Sequence, residues 1–171
     1  MRLKRRHIRE ARRRSDLADK IPSNASAIVK VATALIIYMG WRLQPKPGLL
    51  KGGWKWATTL RRTVWLQAGW PKYSTAKKAR VLMHELVHIR QRRRLGHARF
   101  VARWLRTRYR WALETAAYRE TIRTMRAMGA SDKTIRAAVN HRVAKLRTSY
   151  RLKSIRRKQY ERETRRILMA S

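Results

Sequence analysis

Apolar residues run through positions 25–41 with interruptions at Lys30, Thr33 and Gly40. That stretch is shorter than the roughly 20 residues a membrane-spanning helix needs, and it begins too late for a plain signal peptide. It is expected to be a buried element, with a short or interfacial membrane segment flanked by basic arms as the alternative. Gln44-Pro45-Lys46-Pro47-Gly48 and Lys51-Gly52-Gly53 then read as loops. The segment 59–67 contains Thr63-Val64-Trp65-Leu66, whose β-branched and aromatic content predicts one short strand, ended by Gly69-Trp70-Pro71.

From Ser74 onward the period becomes helical and stays so almost to the end. Ser74 or Thr75 can cap a helix that runs to about Leu95, with Gly96 where a left-handed C-terminal residue belongs. A second helix is expected over 98–128, closed by Gly129, and Thr107 is the place where it would break. Ser131 caps a third. Beyond it, basic residues recur around the whole helical circumference, a distribution better suited to a polyanion than to a core. The fold class predicted is mainly α (α+β). Residues 1–20 form a basic N-terminal arm, 21–130 the folded domain with a short edge strand or small sheet ahead of its central helix, and 131–171 a basic helical extension.

Charge changes the picture of where such a chain lives. Forty-five Lys and Arg face nine Asp and Glu in 171 residues, a formal net charge of +36. Self-repulsion of that size opposes compaction, and phosphates or another acidic surface relieve it. The expected partners are therefore nucleic acid or another polyanion, and other subunits of a large assembly such as a virion or ribonucleoprotein. A membrane partner is not expected, and a virion-associated or cytoplasmic location is favoured. Arg90, Arg92, Arg93 and Arg94 on one helix, and Arg156, Arg157 and Lys158 in the extension, are the candidate polyanion-binding residues. Seven tryptophans (Trp41, Trp54, Trp56, Trp65, Trp70, Trp104 and Trp111) argue for a real core. The absence of cysteine excludes disulfides and thiolate metal sites.

The candidate chemistry is His84-Glu85-Leu86-Val87-His88. Imidazoles four residues apart project from one helical face and can share one zinc ion, while Glu85, beside that face, can act as general base towards a zinc-activated water. Leu82, Leu86 and Ile89 fall on a neighbouring face and would anchor the helix in the core. The bland alternative is a pair of surface histidines satisfied by water.

The run from Arg80 to Gln91, containing His84-Glu85-Leu86-Val87-His88-Ile89-Arg90-Gln91, resembles the active-site helix of the zincin metallopeptidases, especially small HExxHxxQ members, some encoded by bacteriophages. The resemblance spans residues 59–118. It implies zinc as cofactor, a peptide substrate, and an edge strand for that substrate at Thr63 to Leu66. Gln91 and Arg94 stand where a metzincin-like pattern needs Gly and His, which excludes that subclass. The gluzincin-like pattern takes its third ligand from a Glu on a following helix, and Trp111-Ala112-Leu113-Glu114-Thr115-Ala116-Ala117-Tyr118 resembles that segment. Glu114 is thus the expected ligand, with His97 as competitor and an ion pair with Arg110 as its ordinary alternative. Tyr118, one turn on, would orient the carboxylate or donate to a developing oxyanion, or simply pack; Gln91 would support His88 from behind.

The expected function is a zinc-dependent metallopeptidase-like protein in a polyanion-rich assembly such as a phage virion. The alternative is a catalytically silent, nucleic-acid-binding structural component that keeps the fold. Hydrolysis of a peptidoglycan or phosphate linkage by the same chemistry is a third option.

Overall fold

The computed structural model describes residues 24–45, 58–60, 62–67, 69–149 and 154–171. The basic arm at 1–20, the loop signals at 46–48 and 51–53, Trp54, Trp56 and the side chain of Arg156 lie outside these residues.

Helix α1 (Ala25–Tyr38) is the apolar stretch, and it is buried along one face only, with Val31, Ile37 and Tyr38 exposed. The Asn24 side chain caps it, accepting from the Ser26 amide at 2.7 Å, and Ile28, Ala32 and Ile36, each four residues apart, face inward. Among the described residues no helix is long and apolar enough to cross a membrane.

Three short strands follow: β1 (Arg42–Pro45), β2 (Thr58–Leu60) and β3 (Thr63–Leu66), in the order β1-β3-β2. β1 runs parallel to β3, pairing Leu43 with Val64, while β2 pairs antiparallel, placing Thr59 opposite Val64. Two expectations are corrected here. The Gln44-Pro45 loop signal proves to be the end of a strand, because Pro tolerates the margin of a sheet. More consequentially, Thr63–Leu66 is the central strand and not an edge: both its sides are already hydrogen-bonded, and Thr63, Val64 and Leu66 are buried.

Helix α2 (Thr75–Leu95) begins at Ser74, whose hydroxyl accepts from the Lys77 amide at 3.3 Å, and ends at Gly96. Gly96 has φ 75° and ψ 157°, a conformation open essentially to glycine alone, so the chain turns at once into α3 (His97–Leu105). The single helix expected over 98–128 is two, interrupted beside Thr107 at Arg106, which is extended between α3 and α4 (Thr107–Ala127). Helices α5 (Asp132–Ser149) and α6 (Ser154–Met169) complete the chain.

Two apolar clusters flank the middle of the molecule. The first joins α1, the sheet and α2 through Ile28, Ile36, Val64, Leu82, Leu86 and Ile89. The second joins α4, α5 and α6 through Trp111, Ile122, Met125, Ile135, Val139 and Leu168. This second cluster corrects the reading of the C-terminal helices as unsuited to a core. Ile135, Val139, Val143 and Leu146 form a narrow stripe of one α5 face, easily lost among the arginines around it.

Candidate metal centre

α2 and α4 are packed together between the two clusters, and their facing sides carry the site. The apolar anchors work as the spacing predicts: Leu82, Leu86 and Ile89 are fully buried, which fixes the rotation of α2 and turns His84 and His88 towards α4. Glu114 meets them there. Its Oε2 lies 3.5 Å from His84 Nε2, its Oε1 lies 3.5 Å from His88 Nε2, and the two imidazole nitrogens are 3.2 Å apart.

Those spacings fit the donor set of a metal. Ligand atoms bound tetrahedrally to zinc at about 2.0–2.1 Å lie about 3.3 Å from one another, close to the 3.2–3.5 Å found here. Among the described residues, His84, His88 and Glu114 are the group of metal-ligating side chains brought together in this way. His97, the competitor, is exposed at the start of α3 and outside that group. Arg110, the alternative partner for Glu114, donates from Nε to the Trp104 carbonyl at 2.6 Å instead. Glu120 turns away and pairs with Arg123 at 3.4 Å.

Gln91 settles the tautomer of His88. Its Nε2 donates to the Leu113 carbonyl at 3.0 Å, which leaves Oε1 to accept from His88 Nδ1–H at 3.0 Å. A neutral His88 therefore carries its lone pair on Nε2, aimed at His84 and Glu114. This backing of the ring by an acceptor is the usual support of a metal-binding imidazole. Trp104 stands edge-on against the same ring, 5.5 Å between centroids, and shields it.

The electrostatics call for a cation between these side chains. Burial opposes a charged His88, but the hydrogen bond and charge of Glu114, helped by Glu85 and Gln91, outweigh it and raise the imidazole to about 9. Burial likewise disfavours the Glu114 carboxylate, yet the hydrogen bonds and charges of His84 and His88 hold it well below the usual carboxylate range. A proton on an imidazole answers this demand, and so does a divalent metal.

Glu85 is buried, at 5 % exposure, although glutamate is among the residues least often buried. It lies close enough to His88 to favour that ring's charged form. The Tyr118 ring is buried and lies 4.9 Å from the His84 ring, tilted by 43°. Three cations that the sequence did not assign to the site also gather here. Arg142 and Lys145 of α5 lie over the Tyr118 ring at 5.0 and 5.8 Å, and Arg80 sits one turn before His84 on α2. The spacing of Arg80 to His84 could have revealed the first; nothing local to 142–145 points to the other two.

The candidate polyanion-binding residues divide. Arg90, Arg93, Arg94 and Lys158 are exposed, whereas Arg157 pairs with Glu161 at 3.7 Å. Arg92 is half-buried, with its guanidinium against the rings of Phe100 (4.8 Å) and Trp41 (5.4 Å).

No curated protein and no solved structure matches the chain significantly. A protein-family model described as the eCIS core domain matches residues 55–96. The matched segment takes in β2, β3 and α2, hence His84, Glu85, His88 and Gln91, and stops before Glu114 and Tyr118. Residues 55–96 of this chain are thus similar to the eCIS core domain.

Proposed function

We propose that this chain is a zinc-dependent metallopeptidase of the gluzincin kind, working as one component of a larger, polyanion-rich assembly. The observation that carries the reading is the triangle of His84, His88 and Glu114, with all ligand atoms within 4.8 Å of one another, beside a buried Glu85. The similarity of residues 55–96 to the eCIS core domain, a component class of extracellular contractile injection systems, supports the assembly half of the proposal.

His84 and His88 would hold the ion through Nε2 and Glu114 through its carboxylate, leaving a fourth position open. Zinc bound there would supply Lewis acidity, bringing the pKa of a water towards neutrality and polarising a scissile carbonyl. Glu85 would accept the water's proton and return it to the departing amine. Gln91 keeps the His88 lone pair on the metal side. Tyr118, packed on His84, is placed to steady the imidazole and border the reacting group. Because Thr63–Leu66 is flanked on both sides, extended pairing with a substrate falls to β1 or β2.

A second reading, a catalytically silent structural component, is favoured by the net charge of +36, far beyond what peptide hydrolysis requires. A quenched-fluorescence peptide library incubated with zinc-loaded protein separates the two. Hydrolysis that falls by about 100-fold or more in Glu85→Gln, with zinc retained, is the expected result. A library left intact by the zinc-loaded wild type would leave the structural reading standing.

A further inference from the structure

Arg80, Arg142 and Lys145 are half-buried, come from two different helices, and converge beside the metal-ligand triangle. Arg80 reaches across to α4, where its Nη1 lies 3.9 Å from Met125 Sδ. Arg142 and Lys145 reach down from α5 onto the ring of Tyr118, which itself packs on His84. Like charges do not gather in a half-desolvated place without cost. Burial, and then the neighbouring Arg142, lower the pKa of both Arg80 and Lys145. Glu114 and Glu85 are the carboxylates that act on Lys145 among the described residues. Glu114 already faces two imidazoles, so a divalent ion in the triangle would leave positive charge in excess.

We propose that Arg142 and Lys145, with Arg80 beside them, form an anion subsite next to the catalytic centre that takes a carboxylate of the substrate, making the preferred substrate an acidic peptide. The proposal rests on the metallopeptidase reading and deepens it. A guanidinium held against an aromatic ring keeps its plane fixed and its N–H edge free to bind a carboxylate through two parallel hydrogen bonds. Lys145 adds a point charge within reach of the same group. The carboxylate can come from an internal acidic side chain or from a free C-terminus; the chemistry recognised is the same.

The test measures binding, so it does not depend on turnover. Zinc-loaded Glu85→Gln protein is titrated, at about 0.15 M salt, into fluorescein-labelled heptapeptides followed by anisotropy. One peptide carries a single glutamate, a second has glutamine in its place, and each is made with a free and an amidated C-terminus. Site variants Arg142→Gln/Lys145→Gln and Arg142→Lys are compared with Lys133→Gln/Arg136→Gln, which removes the same charge from an exposed part of α5.

The expected result is tighter binding of a carboxylate-bearing peptide than of its neutral counterpart by about tenfold, the worth of one charge-assisted contact. That preference disappears in Arg142→Gln/Lys145→Gln, and survives in Arg142→Lys and in the exposed control. Loss on amidation alone assigns the carboxylate to the C-terminus, and loss on Glu-to-Gln exchange assigns it to a side chain. Equal affinity for charged and neutral peptides overturns the proposal, as does a preference lost equally in the exposed control. So does a short single-stranded oligonucleotide that loses affinity in the site variant while the peptides do not. Zinc content, measured on each protein, reports on the metallopeptidase reading separately: a metal-free wild type that still prefers the acidic peptide would sink that reading and leave the subsite.

Discussion

His88 must lose its Nε2 proton before it can bind a metal, and its surroundings make that proton hard to remove. Glu114, Glu85 and Gln91 together raise the imidazole to about 9 against the effect of burial. In the metal-free protein the sign follows directly. His88 is raised above its unfolded value near 6.5, so the stability it contributes is complete below about 6.5 and is lost as pH rises through about 9. Glu114 is depressed, so its contribution is present above the unfolded carboxylate range and lost in strong acid. Zinc bound through His88 would compete with the same proton, and its uptake would release it. The rise in Tm on adding zinc should therefore grow between pH 6.5 and 9 and level off above. A zinc-induced rise in Tm that is flat across that interval would place the metal away from His88. At this scale the sequence was informative for one helix: the spacing of His84 and His88 needs only helical geometry, and Gln91 follows one turn later. It read Arg142 and Lys145 only as part of a basic tail, because their place beside Tyr118 depends on how α5 docks and not on any local pattern.

Each ligand-bearing helix is held by a different neighbour. α2 is fixed by its apolar face against α1 and the sheet, whereas α4 is fixed by α5 and α6. The α4–α6 contact contains a buried polar joint: Trp111 Nε1 donates to Thr164 Oγ1 at 2.8 Å, and Thr115 Oγ1 lies 3.3 Å from the same hydroxyl. Trp111 and Thr115 bracket Glu114, so this joint braces the turn of α4 that carries the proposed third ligand. Thr164→Val keeps the shape and removes the buried hydrogen bond from the Trp111 indole, which should cost about 1–3 kcal/mol. That corresponds to a fall in Tm of several degrees for a chain of this size. An unchanged Tm would mean that α6 does not dock on α4 in this way. None of this was legible in the sequence, because a basic helix carrying one threonine inward looks like a solvated tail. Caps were better marked. Ser74 and Gly96 delimit α2 where the sequence marks its ends, whereas the helix expected over 98–128 is interrupted at Arg106. The sheet was misread for a simple reason. Pairing partners of Thr63–Leu66 come from separate parts of the chain, and a single run of β-favouring residues does not say how many neighbours it has.

Over the whole molecule, 45 basic residues must coexist with a folded core. Packing uses some of them: Arg92 lies against Trp41 and Phe100, Arg110 against Trp104, and Arg142 against Tyr118. Arg90, Arg93 and Arg94 remain exposed along the last turns of α2 and are available to a polyanion. Binding to a duplex DNA fragment should therefore weaken steeply with salt, the logarithm of the affinity falling linearly with the logarithm of salt concentration. An affinity that stays level between about 50 and 200 mM salt would remove the polyanion from the account. Polyanion binding and the proposed peptide hydrolysis are separable, and the second stands or falls with the proposed metal. The most direct measurement is the metal content, by mass spectrometry, of protein purified without added metal, for the wild type, His84→Ala and Glu114→Ala. The account predicts about one zinc per chain, the content of a single structural or catalytic site, lost in both variants while the helical content is kept. A wild type that carries no zinc even after zinc is restored, or a zinc that persists in Glu114→Ala, would contradict it.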